Sequence, residues 1–334
     1  MLEHIVEKAM YWLVTPGSRL NLVGWASVPV LGYIAWRLYK PAAKNFWAWI
    51  FPREMYTHPS HITDIKLLFT NYGLSAIGIT SFVGVSTFVT AYVYGGLELM
   101  MGTDNPKLEW DWGRLVVLAV AFALISDFCT YWVHRLHHLT PWLWPFHKVH
   151  HSAEVMTPIT FYRKHPIYDI ISRLVKGVVL GSISAILLFL FVGDLSTWQI
   201  GGINASVALF NVIGGNLRHS HIWFHWGKLG YVLCSPAMHQ IHHSRDAMKH
   251  WNKNFAEMFS LWDWIFGTLY LPKEKEDIQF GLPNARAILL PQPHPTLREA
   301  IMRPFRESAA AFKKSFGIAP RKAQPTVTPP TAAE

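Results

Sequence analysis

Residues 127–151 read DFCTYWVHRLHHLTPWLWPFHKVHH. Two clusters of the form H-x-x-H-H stand here, His134-Arg-Leu-His137-His138 and His147-Lys-Val-His150-His151, directly after a long apolar run. A third, His239-Gln-Ile-His242-His243, follows downstream. Positions three and four apart share a helix face, so each cluster can direct its imidazoles into one pocket. Fourteen of the 18 histidines fall between His134 and His250. Imidazole suits iron, zinc, copper and nickel, whereas magnesium and calcium prefer oxygen ligands. A single metal takes about three to six ligands, so eight or more histidines imply two metals.

The upstream half of the stretch extends the pattern. At about 100° per residue, Asp127, Tyr131, His134 and His138 lie at about 0°, 40°, −20° and 20°, one narrow stripe of a single helix. An acid inside a membrane helix is costly and is a functional candidate by default. Asp127 is expected to accept a hydrogen bond from a ligand imidazole and fix its tautomer, with Tyr131 as a second supporting group. His137 points about 100° from His138, so His134 and His138 form the ligand pair of the first cluster.

Working outward, the 334-residue chain is 51% hydrophobic and 14% aromatic, with only 15% charged residues and 16 Trp. Ordinary soluble chains carry about 25% charge, so much of this surface is expected to face lipid. Five apolar stretches approach bilayer-spanning length, about 20 residues each. They run from about Leu20 to Leu38 around Pro29, Leu67 to Tyr94, Leu115 to Trp132, Val175 to Val192, and Trp198 to Leu217. The last two are separated by the turn Gly193-Asp194-Leu195 and read as a hairpin. Lys40, Lys44, Arg53 and Lys66 follow the first span, while Glu98, Asp104, Glu109 and Asp111 follow the second. The positive-inside rule then places residues 134–173 and 218–334, and every histidine cluster, in the cytoplasm.

The expected architecture is therefore an all-α integral membrane bundle of about five spanning helices with a cytoplasmic histidine-rich cap. Residues 1–113 would hold N-terminal spans and loops, 114–272 the catalytic unit, and 273–334 a basic segment. Within the last, 297–316 reads as a basic amphipathic helix resting on the membrane, and the Pro- and Ala-rich tail from Ala319 as disordered. The net charge of +9 fits an anionic membrane surface rather than nucleic acid, for which no motif is present. Cys129 and Cys234 make no C-x-x-C and no disulfide framework, consistent with reduced cytoplasmic thiols. The N-terminus does not read as a removable signal peptide.

These motifs resemble those of the fatty acid hydroxylase/sterol desaturase superfamily over roughly residues 110–272. The first box has the form D-x(6)-H-R-x-x-H, from Asp127 to His138. The second is W-x-F-H-x-x-H-H-S, from Trp144 to Ser152, and the third P-x-x-H-x-x-H-H, from Pro236 to His243. Trp262-Asp263-Trp264-Ile265-Phe266-Gly267-Thr268 matches the W-D-x-x-F-G-T signature that follows. The resemblance implies a helical membrane protein with two iron ions, using O₂ to hydroxylate or desaturate a lipid. It also implies metal ligands at His134, His138, His147, His150, His151, His239, His242 and His243. In some members a lone histidine precedes the third box by 20 positions, as His219 does. His137, His165 of the element R-x-H-P, His221 and His225 are further candidates for a ligand or a supporting role. No flavin or haem motif is recognisable, so electrons are expected from a separate ferredoxin- or cytochrome-like protein. Desaturation with the same centre is the alternative to hydroxylation. A zinc membrane hydrolase would need a base such as the Glu of H-E-x-x-H, which is absent. A metal transporter would place its ligands near the membrane midplane.

Overall fold

The computed structural model describes residues 20–42, 45–80, 83–103, 108–109, 111–191, 214–283 and 288–318, with residues 10, 13, 14, 18 and 209. Among them the chain is helical, and the only β-type pairings are the isolated bridges Leu108–Phe191 and Pro283–Leu289. The long helices are α1 (Leu22–Tyr39), α2 (Pro59–Ala76), α3 (Val83–Met101), α4 (Trp112–Leu139) and α6 (Pro166–Leu190). Shorter helices carry the histidines and their surroundings: α5 (Trp144–His151), α7 (Pro236–His242) and α8 (Leu261–Ile265). The C-terminal helix is α9 (Leu297–Ser315).

Local chemistry sets several boundaries. The Asp111 side chain accepts from Arg114 N–H and starts α4, which stops before Thr140-Pro141 because a residue preceding proline avoids helical geometry. His165 and Ser235 cap α6 and α7 through their side chains, each followed by proline in the first turn, where its missing N–H costs nothing.

Among the described residues two helices, α4 and α6, are long and apolar enough to cross a membrane. The stretch from Leu67 to Tyr94, expected as one tilted crossing, is instead divided between α2 and α3. Gly78 adopts φ 85°, Ile79 N–H bonds Leu74 O at 3.0 Å and Gly78 N–H bonds Ser75 O at 3.1 Å. That is a glycine-terminated helix end, invisible to hydropathy alone. Most of the fifth stretch, with the turn at 193–195, lies outside the described residues, as does the tail from Ala319.

Close approach holds α3 against α6. A Cβ on Gly181 would meet Ser86 O at 2.8 Å, and Thr90 Oγ1 donates to Gly181 O at 3.0 Å. Small residues permit this contact between apolar helices.

A buried polar knot fastens α2 to α5. Arg163 and Asp64 are both fully buried and paired at 2.7 Å. The guanidinium also donates to Val149 O at 2.8 Å, Ser60 O at 3.1 Å and Ser152 Oγ at 3.0 Å. Thr160 Oγ1 donates to the other Asp64 oxygen at 2.7 Å. Val149 lies between two histidines of α5, so this knot holds that helix in place. Breaking a buried pair by removing one partner typically costs about 3–5 kcal/mol, because the other charge is left uncompensated. Asp64→Ala should therefore lower the melting temperature of the solubilised protein far more than Asp111→Ala, which loses an exposed pair with Arg114 and one exposed helix-cap bond. Equal melting of the two variants would refute the knot's role.

Candidate metal centre

The end of α4, all of α5 and α7, and the turn at Gly215–Leu217 with its exit converge on one buried region. The nine histidines implied as ligands divide there into two groups. His134, His138, His147, His151 and His242 form one, and His150, His219, His239 and His243 the other. Within each group the candidate donor atoms lie within 4.8 Å of one another.

The division follows from helix geometry. In H-x-x-H-H the first and last histidines are one turn apart and about 40° in phase, whereas the middle one sits about 60° to the other side. On α5 the outer pair, His147 and His151, joins the five-membered group and His150 turns to the other. On α7 the outer pair, His239 and His243, joins the four-membered group and His242 turns to the first. The groups share a wall, where the rings of His151 and His243 stack with centroids 4.5 Å apart.

His151 Nε2 lies 3.1 Å from His138 Nε2, 3.2 Å from His147 Nε2 and 3.1 Å from His242 Nε2. An imidazole nitrogen carries either one proton or one lone pair, so three such contacts cannot all be hydrogen bonds. A shared cation makes all of them favourable. Two nitrogens bound at right angles to one metal, each at about 2.1 Å, are separated by about 3 Å. In the second group His219 Nε2 lies 3.0 Å from His150 Nε2 and 2.9 Å from His239 Nε2. The Nε2 atoms of His134 and His243 are buried without a hydrogen-bond partner. The donor set fits a pair of first-row metal ions.

Charge and tautomer are set by the surroundings. Burial pushes His147, His150, His151, His239 and His243 well below the ordinary imidazole range, and the neighbouring imidazoles, with Arg218 beside His239, disfavour a proton further. Burial likewise lowers His242 to about 4. Neutral rings keep a free lone pair, as metal binding requires. His134 Nδ1–H donates to Phe255 O and His242 Nδ1–H to Lys253 O, both at 2.7 Å, leaving each Nε2 bare toward the group. His239 Nδ1 instead faces the buried Arg218 guanidinium at 3.1 Å.

Asp127 is not bonded to a histidine, contrary to the expectation. Its carboxylate accepts from the backbone N–H groups of Met258 at 2.9 Å and Phe259 at 2.8 Å. Asp263 does the same for Phe255 at 2.8 Å and Ala256 at 2.9 Å. The two acids grip one loop, whose Phe255 carbonyl orients His134. Tyr131 also acts at a distance, its hydroxyl 3.0 Å from Thr268 Oγ1 and accepting from Arg135 at 2.9 Å.

The four further candidates lie outside both groups. His137 Nδ1–H donates to Val133 O at 2.7 Å. His165 caps α6 and its Nε2–H donates to Ile301 O at 3.0 Å. His221 donates to Trp49 O at 2.8 Å, and His225 accepts from Gly227 N–H at 3.2 Å. Sequence reasoning missed the oriented carbonyls of Phe255 and Lys253 and the grip of Asp263, which appeared only as a letter in the W-D-x-x-F-G-T signature.

Comparison with known proteins places this geometry. The fatty acid hydroxylase family matches residues 119–268, and that span contains all nine grouped histidines. That match and the curated relatives support the wider fatty acid hydroxylase/sterol desaturase superfamily. Among its relatives in this superfamily, the ornithine lipid hydroxylase OlsE of Rhizobium tropici is 30% identical over 52% of this chain and 47% of its own. The alkylglycerol monooxygenase of Homo sapiens is 28% identical over 68% of this chain and 44% of its own. A Delta(7)-sterol 5(6)-desaturase of Eremothecium gossypii is 26% identical over 76% of this chain and 65% of its own. The chain spans about half the length of the first two. No solved structure matches.

The buried rings make a pH prediction. In the unfolded chain His242 takes a proton near 6.5, and in the fold only near 4. The unfolded state therefore binds more protons as pH falls. This contribution to stability is intact above about 6.5 and is lost on descending through about 4. Metal-free protein should melt at progressively lower temperature across that window, and a flat profile would contradict buried neutral imidazoles.

Proposed function

We propose that the protein is an O₂-dependent lipid hydroxylase whose histidines hold two iron ions. The observation that carries this reading is the division of nine imidazoles, all buried except the half-buried His138, into adjoining groups of five and four. His134, His138, His147, His151 and His242 would hold one ion, and His150, His219, His239 and His243 the other. When bound, the iron pair supplies O₂ activation and hydrogen abstraction from an unactivated C–H bond, with electrons from a separate ferredoxin- or cytochrome-like protein.

The chain supplies position and dryness. Trp144, Phe255 and Trp251 stand 4.9 Å, 5.1 Å and 6.2 Å from the His138 ring, and Tyr168 stacks 4.8 Å from His147. This aromatic wall excludes water and suits an acyl or sterol C–H bond. Multiple spans bring the site to the cytoplasmic face, where lipid arrives from the bilayer and the reductase from the aqueous side. The box at the end of α4 and His165 at the start of α6 support a site at one face. Residues 114–272 form the catalytic unit in this reading.

Desaturation is the second reading, favoured by the longer alignment with the sterol desaturase than with OlsE. Both reactions begin with the same hydrogen abstraction. Comparative lipidomics of cells with and without the protein separates them: hydroxylation adds one oxygen to a lipid, desaturation removes two hydrogens. His150→Ala and His242→Ala each remove a donor from a different group and should abolish either change. Purified protein should carry about two iron ions per chain. Stoichiometric zinc without metal supplementation, or undiminished turnover in both variants, would overturn the assignment.

A further inference from the structure

The amphipathic helix α9 is docked at the ends of both apolar helices. Ser308 Oγ donates to Trp142 O at 2.6 Å, three residues beyond α4, and Phe312 meets the Trp142 ring at 6.0 Å. Ile301 O accepts from His165, the cap of α6, at 3.0 Å. Leu297, Ala300 and Ile301 pack with Leu67 of α2 and Val149 of α5, and Lys148 of α5 pairs with Glu307. One side of α9 is thus fully engaged with the protein.

Adjoining that contact is an apolar strip only partly covered by the protein, where Phe305 touches Phe146 and His165 and Phe312 touches Trp142. Phe305, Phe312 and Phe316 fall within about 40° of one another at about 100° per residue, with Met302 beside them. They are 44%, 42%, 61% and 53% exposed respectively. Exposed Arg306 and Lys313 continue around the helix from this strip, with Arg298 and Lys314 also exposed. Apolar rings edged by cations match the chemistry of an anionic bilayer interface, with acyl chains beneath and phosphate above. The placement agrees: the ends of two spanning helices lie at the level where headgroups begin.

We propose that α9 is an interfacial helix that binds an anionic lipid surface through Met302, Phe305, Phe312 and Phe316, with Arg306 and Lys313 reaching the headgroups. The inference rests on reading α4 and α6 as membrane spans. Since Lys148, Phe146 and Val149 of α5 all touch α9, the same contact ties the second histidine box to the plane of the bilayer.

The test uses the full chain in phospholipid nanodiscs with brominated acyl chains, with and without phosphatidylglycerol. Bimane is attached at Met302→Cys, Phe316→Cys or, as an aqueous control, Asp277→Cys, which lines a polar hollow with Arg245 and Lys249. The native cysteines are buried. Labels at 302 and 316 should lose fluorescence to the brominated lipid while the label at 277 does not. Phosphatidylglycerol should deepen that loss, and combined R306Q and K313Q should remove the increment. Equal quenching at all three positions overturns the proposal, as does shielding of 302 and 316 only when an acidic redox protein is added. Release of the chain from native membranes by alkaline carbonate would instead overturn the spanning reading itself, and this inference with it.

Discussion

Nine imidazoles lie side by side, eight of them buried and His138 half-buried, and each can hold a metal ion only through a nitrogen that carries no proton. Charged, they would repel across contacts of about 3 Å in a region water does not screen. Neutral but wrongly tautomerised, they would point N–H groups at one another. Burial meets the first condition. The second is met for His134 and His242 by backbone carbonyls that accept the Nδ1 proton, and those carbonyls lie on the loop from Lys253 to Phe259. Everything that holds the loop, chiefly Asp127 from α4 and Asp263 from α8, therefore helps decide which face of those imidazoles is bare.

That explains why an acid in the middle of an apolar helix is worth its desolvation. Two backbone donors converge on Asp127, and two more with the Thr268 hydroxyl on Asp263. The carboxylates act on the histidine groups through the peptide between them. Arg163 plays the matching part on the opposite flank, where its three nitrogens gather Val149, Ser60, Ser152 and Asp64 around the second box.

Much of this site was legible in the sequence because its grammar is local. Three clusters of one spacing state which residues can share a face, and the choice of His134 and His138 over His137 follows from phase alone. Two things were not legible. The split of the second and third boxes between two groups depends on how α5 and α7 face each other, a tertiary fact with no local trace. The real partner of Asp127 lies 131 positions away, and its backbone N–H group is carried by any residue type except proline. Hydropathy likewise saw one apolar run where Gly78 makes two helices, since a left-handed turn changes direction without changing polarity.

His150 and His151 are consecutive residues that serve different groups. One peptide unit is all that separates the two halves of the centre along the chain, so a rotation of α5 that retunes one half must disturb the other. A lineage cannot adjust the two halves independently, and improvement at one meets an immediate penalty at its neighbour. Substitutions are easier to accommodate elsewhere, in the aromatic wall and the loops. A centre built this way should change substrates far more readily than it changes metals.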